Sequence, residues 1–350
     1  MSSMRPIAVL LAACALSACS PEDPYQNVGA QLSDKVLLPN YNAWANADQT
    51  LASSAKAFCA GEQDLAQARQ HFSQAQAAWA TLQPMLIGPL SEGNSAWQVQ
   101  FWPDKKNLVA RQVNSLLKNK PELTVTDLEK SSVVVQGLSA YEYVLYDESI
   151  DLSQAEQKAR YCPLLMAVGE HQQNLSQKTF QQWQAKDGTA QQLQSFPNDH
   201  YADAQEAISD VLRVQISAID GLKKKLGAPM GRQSKGVPQP YQAEAWRSQA
   251  SLNNLAAALN GAEQLWKNGV RGLLSSEHAA LAERIDSAYQ HTQGLLAAQS
   301  QTLTQLLASE AGRQQMDELY TSLDNLHRLQ EADLAKALGI TLGFNAHDGD

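Results

Sequence analysis

The segment Val133 to Tyr146 differs from the rest of the chain. It reads Val-Val-Val-Gln-Gly-Leu-Ser-Ala-Tyr-Glu-Tyr-Val-Leu-Tyr, rich in apolar and aromatic residues yet carrying a carboxylate at Glu142. On a helix Ser139, Glu142 and Tyr146 share one face, because positions three and four apart are neighbours. A carboxylate placed in such company has to be paired, hydrogen-bonded or protonated. Candidate partners lie in Phe101-Trp102-Pro103-Asp104-Lys105-Lys106-Asn107 and at Arg111 and Arg247. Gly137 costs a helix about 1 kcal/mol against alanine, which suggests that something packs closely there. The plain alternative is a core helix with Glu142 at its polar edge.

No other constellation carries a familiar chemistry. The chain has no His-Glu-x-x-His, no Gly-x-Ser-x-Gly and no phosphate-binding loop, and its methionines are scattered. The seven histidines are spread along the sequence, and a lone helical histidine beside an acid, such as Glu170-His171, reads as a solvated or satisfied residue. The formal net charge of -9 leaves no basic footprint for nucleic acid.

The elements that must position these residues read as helices almost throughout. From Val28 to Ala57, apolar residues at Leu32, Val36, Leu37, Tyr41, Trp44 and Leu51 follow helical spacing, and Gly61 breaks the run. Asp64 and Gln67 form a capping-box pattern for a helix that stops before Pro84, after which the chain is irregular to Pro103. Helix resumes near Lys105 to Leu117. Further boxes at Thr126–Glu129 and Ser153–Glu156 predict a helix running through Gly137 to Tyr146, and a long one toward Ala185. Tyr201–Leu226, Ala243–Trp266, Glu277–Ala298 and Arg313–Leu338 complete the set, with a long loop at Gly227–Pro240. The expected fold is all-α: an N-terminal bundle over 29–188 and a C-terminal bundle over 199–340, divided in the polar stretch Gly188–Asn198, with a tail at 341–350.

The N-terminus carries an address. Arg5 precedes the apolar run Ile7–Leu16, which is too short to span a bilayer and suits a secretory leader. The order Leu16-Ser17-Ala18-Cys19 resembles the bacterial lipobox. That resemblance implies removal of residues 1–18, acylation at Cys19 and a membrane anchor through its lipid, with 19–28 as tether. Ser20 in place of Asp favours the outer membrane, facing the periplasm. Of the four cysteines, Cys14 leaves with the leader and Cys19 takes the lipid. Cys59 and Cys162 remain, for a disulfide in an oxidising compartment or for a thiol or metal pair.

Gly137-Leu138-Ser139-Ala140-Tyr141-Glu142-Tyr143 resembles the imelysin motif Gly-x-His-x-x-Glu, and the segments Phe101-Trp102-Pro103 and Glu244-Ala245-Trp246-Arg247-Ser248 resemble further stretches of that family. The similarity runs over roughly Val28 to Leu338. It implies two helical bundles with the motif near their interface, in a family of iron-regulated envelope proteins of which some are classed as metallopeptidases. Gly137 and Glu142 match the motif; Ser139 stands in the histidine's place. A serine hydroxyl is a weak, neutral ligand, so Glu142 would hold iron or another divalent metal poorly.

The reading that follows is a binding or accessory protein of iron handling, with partners among envelope iron-uptake proteins. Its ligand site would comprise Gly137, Ser139, Glu142, Tyr143, Trp102 and Arg247. The alternatives are a metallopeptidase of the imelysin type and a structural or assembly lipoprotein.

Overall fold

A computed structural model describes residues 23–91, 93 and 95–341. The leader and Cys19 lie outside the described residues, as does the tail beyond Thr341. Among the described residues there is no strand, and no helix is long and apolar enough to cross a membrane.

Helix α1 (Pro24–Leu32) passes through one π-helical turn into α2 (Leu38–Ala60), which ends where Gly61 adopts a left-handed φ of 81°. Helix α3 (Leu65–Leu82) begins at the expected Asp64/Gln67 capping box, with both reciprocal bonds formed. The chain then makes short turns and α4 (Ser95–Val99) before α5 (Leu108–Asn119).

Here the structure departs from the expected single helix through Gly137. Instead there are α6 (Val125–Glu129), a 3-10 turn at Val133–Val135, and α7 (Leu138–Tyr146) with Gly137 as its N-cap. The working capping box is Thr124/Asp127, two residues earlier than expected. Ser153 also caps nothing: its hydroxyl bonds Asp151, and α8 (Ala155–Gln184) starts at an uncapped Gln154.

After a four-residue α9 (Thr189–Gln192) come α10 (Ala204–Gly227), α11 (Ser251–Asn268), α12 (Ala279–Ala297), α13 (Leu303–Ala308), α14 (Glu310–Arg328) and, beyond a π-helical stretch, α15 (Ala335–Ala337). Residues 243–250, expected to begin a helix, form irregular turns instead.

The antiparallel pair α2/α8 is the spine of the first half, held at three levels. At one end Cys59 and Cys162 are joined as a disulfide with Cα atoms 5.7 Å apart. In the middle Gly169 lets the backbones meet, since a Cβ there would lie 3.0 Å from the Ala52 Cα. At the other end the rings of Tyr41 and Trp183 approach to 4.4 Å. Fully buried side chains such as Trp44 and Leu51 each contribute roughly 1.5–3 kcal/mol by leaving water.

In the second half Gln215, Tyr289 and Gln330 form a buried hydrogen-bonded triangle tying α10 and α12 to the π-helical stretch. The halves share one hydrophobic core, in which α11 packs on α3 and α10 on the turn at Gln83–Met85.

Candidate functional site

Three stretches far apart in sequence meet around Glu142: residues 100–107, helix α7, and the turns at 242–250. Gly137 sets the start of α7 by close approach. A Cβ on it would lie 2.2 Å from the Val99 carbonyl oxygen and 2.6 Å from that of Gln98, so a side chain there would push α7 off the end of α4. From that cap, Ser139 and Glu142 fall on one face. The Ser139 hydroxyl donates to the Phe101 carbonyl at 2.8 Å, fixing the 100–107 stretch.

Glu142 is buried, not at a polar edge. Its Oε1 accepts two hydrogen bonds from one residue, 2.8 Å from the Ser248 backbone N–H and 2.7 Å from the Ser248 hydroxyl. Burial pushes its carboxyl above the usual range; the two Ser248 bonds and the charge of Arg247 pull it back, and the charge of Glu244 pushes it up again.

Arg247, one of the candidate partners for Glu142, spends its hydrogen bonds elsewhere. Its Nε donates to Asp147 at 2.8 Å and its Nη2 to the Asn107 side chain at 2.7 Å, while the guanidinium lies over the rings of Trp246 and Tyr143. Burial raises the Asp147 carboxyl, but Arg247 and Ser149 outweigh it and hold it below the usual range.

Three residues of this corner are left-handed: Asn107 at φ 50°, Ala245 at φ 53° and Gln249 at φ 60°. Asparagine tolerates that region, whereas alanine pays roughly 1–2 kcal/mol there. The strained Ala245 sets the direction of the turns that aim Ser248 at Glu142.

Of the six ligand candidates, Trp102, Ser139, Glu142 and Arg247 line one small cleft of about 20 Å³, room for a single water. Gly137 and Tyr143 do not line it. Gly137 works by packing, and the Tyr143 ring lies under Arg247 while its hydroxyl accepts from Asn114 at 2.8 Å.

The sequence reading missed Glu244 and Lys225. Glu244 is 4% exposed, and its carboxylate is bound by the Lys225 ammonium. Gln83 accepts from the same ammonium at 2.6 Å, and Gln100 accepts from the Trp79 indole at 2.9 Å. Lys225 is the last of three consecutive lysines, and nothing in that run separates it from a solvated face.

The donors here do not fit a metal centre. Glu142 is engaged by Ser248, the Ser139 proton goes to a carbonyl, and Glu244 is neutralised by Lys225. Among the described residues no three His, Cys, Asp or Glu side chains come together as a cage.

The chain is similar in fold to two crystal structures. An imelysin-like protein from Psychrobacter arcticum 273-4 superposes with a TM-score of 0.79 at 22% identity, covering 92% of this chain and 97% of that one. A candidate iron-regulated protein A precursor from Parabacteroides distasonis ATCC 8503 gives 0.71 at 17% identity, covering 90% and 96%. A search of the curated proteins finds no match. The family model Peptidase_M75, Imelysin, matches residues 37–330, which include every residue of the cleft. The chain therefore belongs to the imelysin family, with that family's all-α fold.

Proposed function

We propose that this imelysin-family chain is a lipid-anchored envelope protein that binds a ligand in iron handling and does not hydrolyse peptides. The observation that carries the reading is the state of the motif glutamate. A peptidase of the metal type needs a carboxylate free to ligate or to take a proton from an activated water. Here Glu142 is a fastener, holding the 242–250 turns against α7 through Ser248. The resemblance of the fold to a candidate iron-regulated protein supports the iron connection. The lipobox-like Leu16–Cys19 supports the anchor, at the outer membrane and facing the periplasm, and the Cys59–Cys162 bond suits an oxidising compartment.

The test is thermal unfolding of the purified protein with ferric iron, zinc and haem, alongside its abundance in iron-limited cells. A stabilising shift with an iron species and a rise on limitation are expected. No shift with any of them and no change in abundance would overturn the iron reading. Cleavage of a peptide library, abolished by chelator and by Glu142→Gln, would restore the peptidase. Cys19→Ser is expected to move the protein from the membrane to the soluble fraction.

A further inference from the structure

The small cleft at Glu142 opens beside a larger groove of about 750 Å³, and the two share Gln100, Trp102 and Glu244 as a common wall. The larger groove runs between residues 96–105 and α10. Three properties define what it takes.

First, one wall is aromatic. Trp97 is 54% exposed on the rim, and Trp102 also lines the groove, its indole N–H anchored to the Gln242 carbonyl at 3.0 Å and the Lys225 ammonium 5.8 Å from its ring centroid. An exposed tryptophan face attracts flat rings and cations.

Second, the opposite wall is cut back. Ala218 and Gly221 on α10 and Ala228 just past its end line it, and a Cβ at Gly221 would meet nothing within 4 Å.

Third, its unspent charge is positive. Glu244 is cancelled by Lys225, whereas among the described residues Lys105 is exposed and in no ion pair, and Lys224 pairs with Asp220 on its own helix. These lysines favour an acidic group locally, against the chain's overall net charge of -9.

We infer that this groove binds a small anionic ligand built on aromatic rings, with the ring on Trp97 and Trp102 and the acid at Lys105 and Lys224. This rests on the binding reading above and names its ligand class. An aromatic chelator and its ferric complex share that chemistry, and either source fits.

The full mature chain is titrated calorimetrically with 2,3-dihydroxybenzoate, its ferric complex, neutral catechol and ferric citrate. The two dihydroxybenzoate forms, or one of them, are expected to bind, with catechol about tenfold weaker because it lacks the fixed charge. Lys105→Glu should weaken binding by a similar factor. Gly221→Leu should abolish it while leaving the melting temperature unchanged or higher, since it fills open space and replaces a helical glycine. Binding of neither dihydroxybenzoate form, equal binding of catechol, or undiminished binding by Gly221→Leu would each overturn the assignment. Binding of iron-free dihydroxybenzoate alone, with no response to any iron species, would keep the groove and remove the iron reading. A response to ferric citrate alone would do the reverse.

Discussion

Asp48 offers the sharpest test of the structure. It lies on the α2 face against α8, one turn from Ala52 and facing the stretch that carries Gln172 and Ser176. It is completely buried, and neither carboxylate oxygen has a hydrogen-bond partner among the described residues. Burial raises its pKa from 3.8 to about 8; the Ser176 hydroxyl, which donates to the Gln173 carbonyl, is near enough to lower it slightly. The native state therefore keeps the proton through the range in which the unfolded chain releases it. Stability from this group is fully present below about pH 4 and is lost as pH rises toward 8, by about 1.4 kcal/mol per pH unit. Over the whole interval the loss is on the order of 5 kcal/mol. The perturbation is Asp48→Asn, which keeps the shape and removes the proton. Urea unfolding of both proteins at pH 5 and pH 8 isolates Asp48 from other groups: Glu142 is also raised, and Asp147, Asp220 and Asp324 are lowered with the opposite sign. The stability difference between variant and wild type should move by about 4 kcal/mol in the variant's favour between those two pH values. Parallel pH profiles would mean that Asp48 ionises freely, and the packing of α2 on α8 described above would be wrong.

Four further outcomes are expected. Glu142→Ala leaves the Ser248 N–H without its acceptor and should cost about 2 kcal/mol in denaturant unfolding, whereas Glu142→Gln, which can still accept, should cost less than half of that. Ala245→Gly relieves a left-handed alanine against a small entropic cost, so the melting temperature should rise by the equivalent of about 1 kcal/mol. Gly137→Ala drives a methyl into the carbonyls of Gln98 and Val99, and a loss of about 3 kcal/mol, or failure to fold, should follow. Replacing Cys59 and Cys162 by serine opens a loop of 103 residues, and an equilibrium loss of about 2–4 kcal/mol should appear under non-reducing conditions.

Local features were legible where the sequence states them locally. Apolar spacing placed α2, and the Asp64/Gln67 box placed the first turn of α3. Gly61 closed α2 because only a residue without Cβ takes that backbone cheaply. The misreadings share a cause. Gly137 reads as a costly interior glycine when α7 is viewed alone; its role as a cap is dictated by carbonyls 38 and 39 positions earlier. Residues 243–250 have helical composition, yet the left-handed Ala245 and Gln249 break them, and nothing in an alanine announces a positive φ. Arg247, among the candidate partners for Glu142, lies one residue from the side chain that bonds it, because the turn, not the charge, decides which side chain arrives. Asp48 sits in a polar-looking run, and its burial follows only from the register of α2 on α8.

The first helix also fixes how the body hangs. The Tyr25 hydroxyl donates to the Leu338 carbonyl at 3.2 Å, and the Gln26 side chain reaches the Gln194 carbonyl at 3.1 Å. With Cys19 as the proposed anchor, only four residues lie between it and Pro24, and those five Cα–Cα steps span at most about 18 Å. On that proposal, the pole where the two ends of the described chain converge would be leashed within a couple of nanometres of the bilayer.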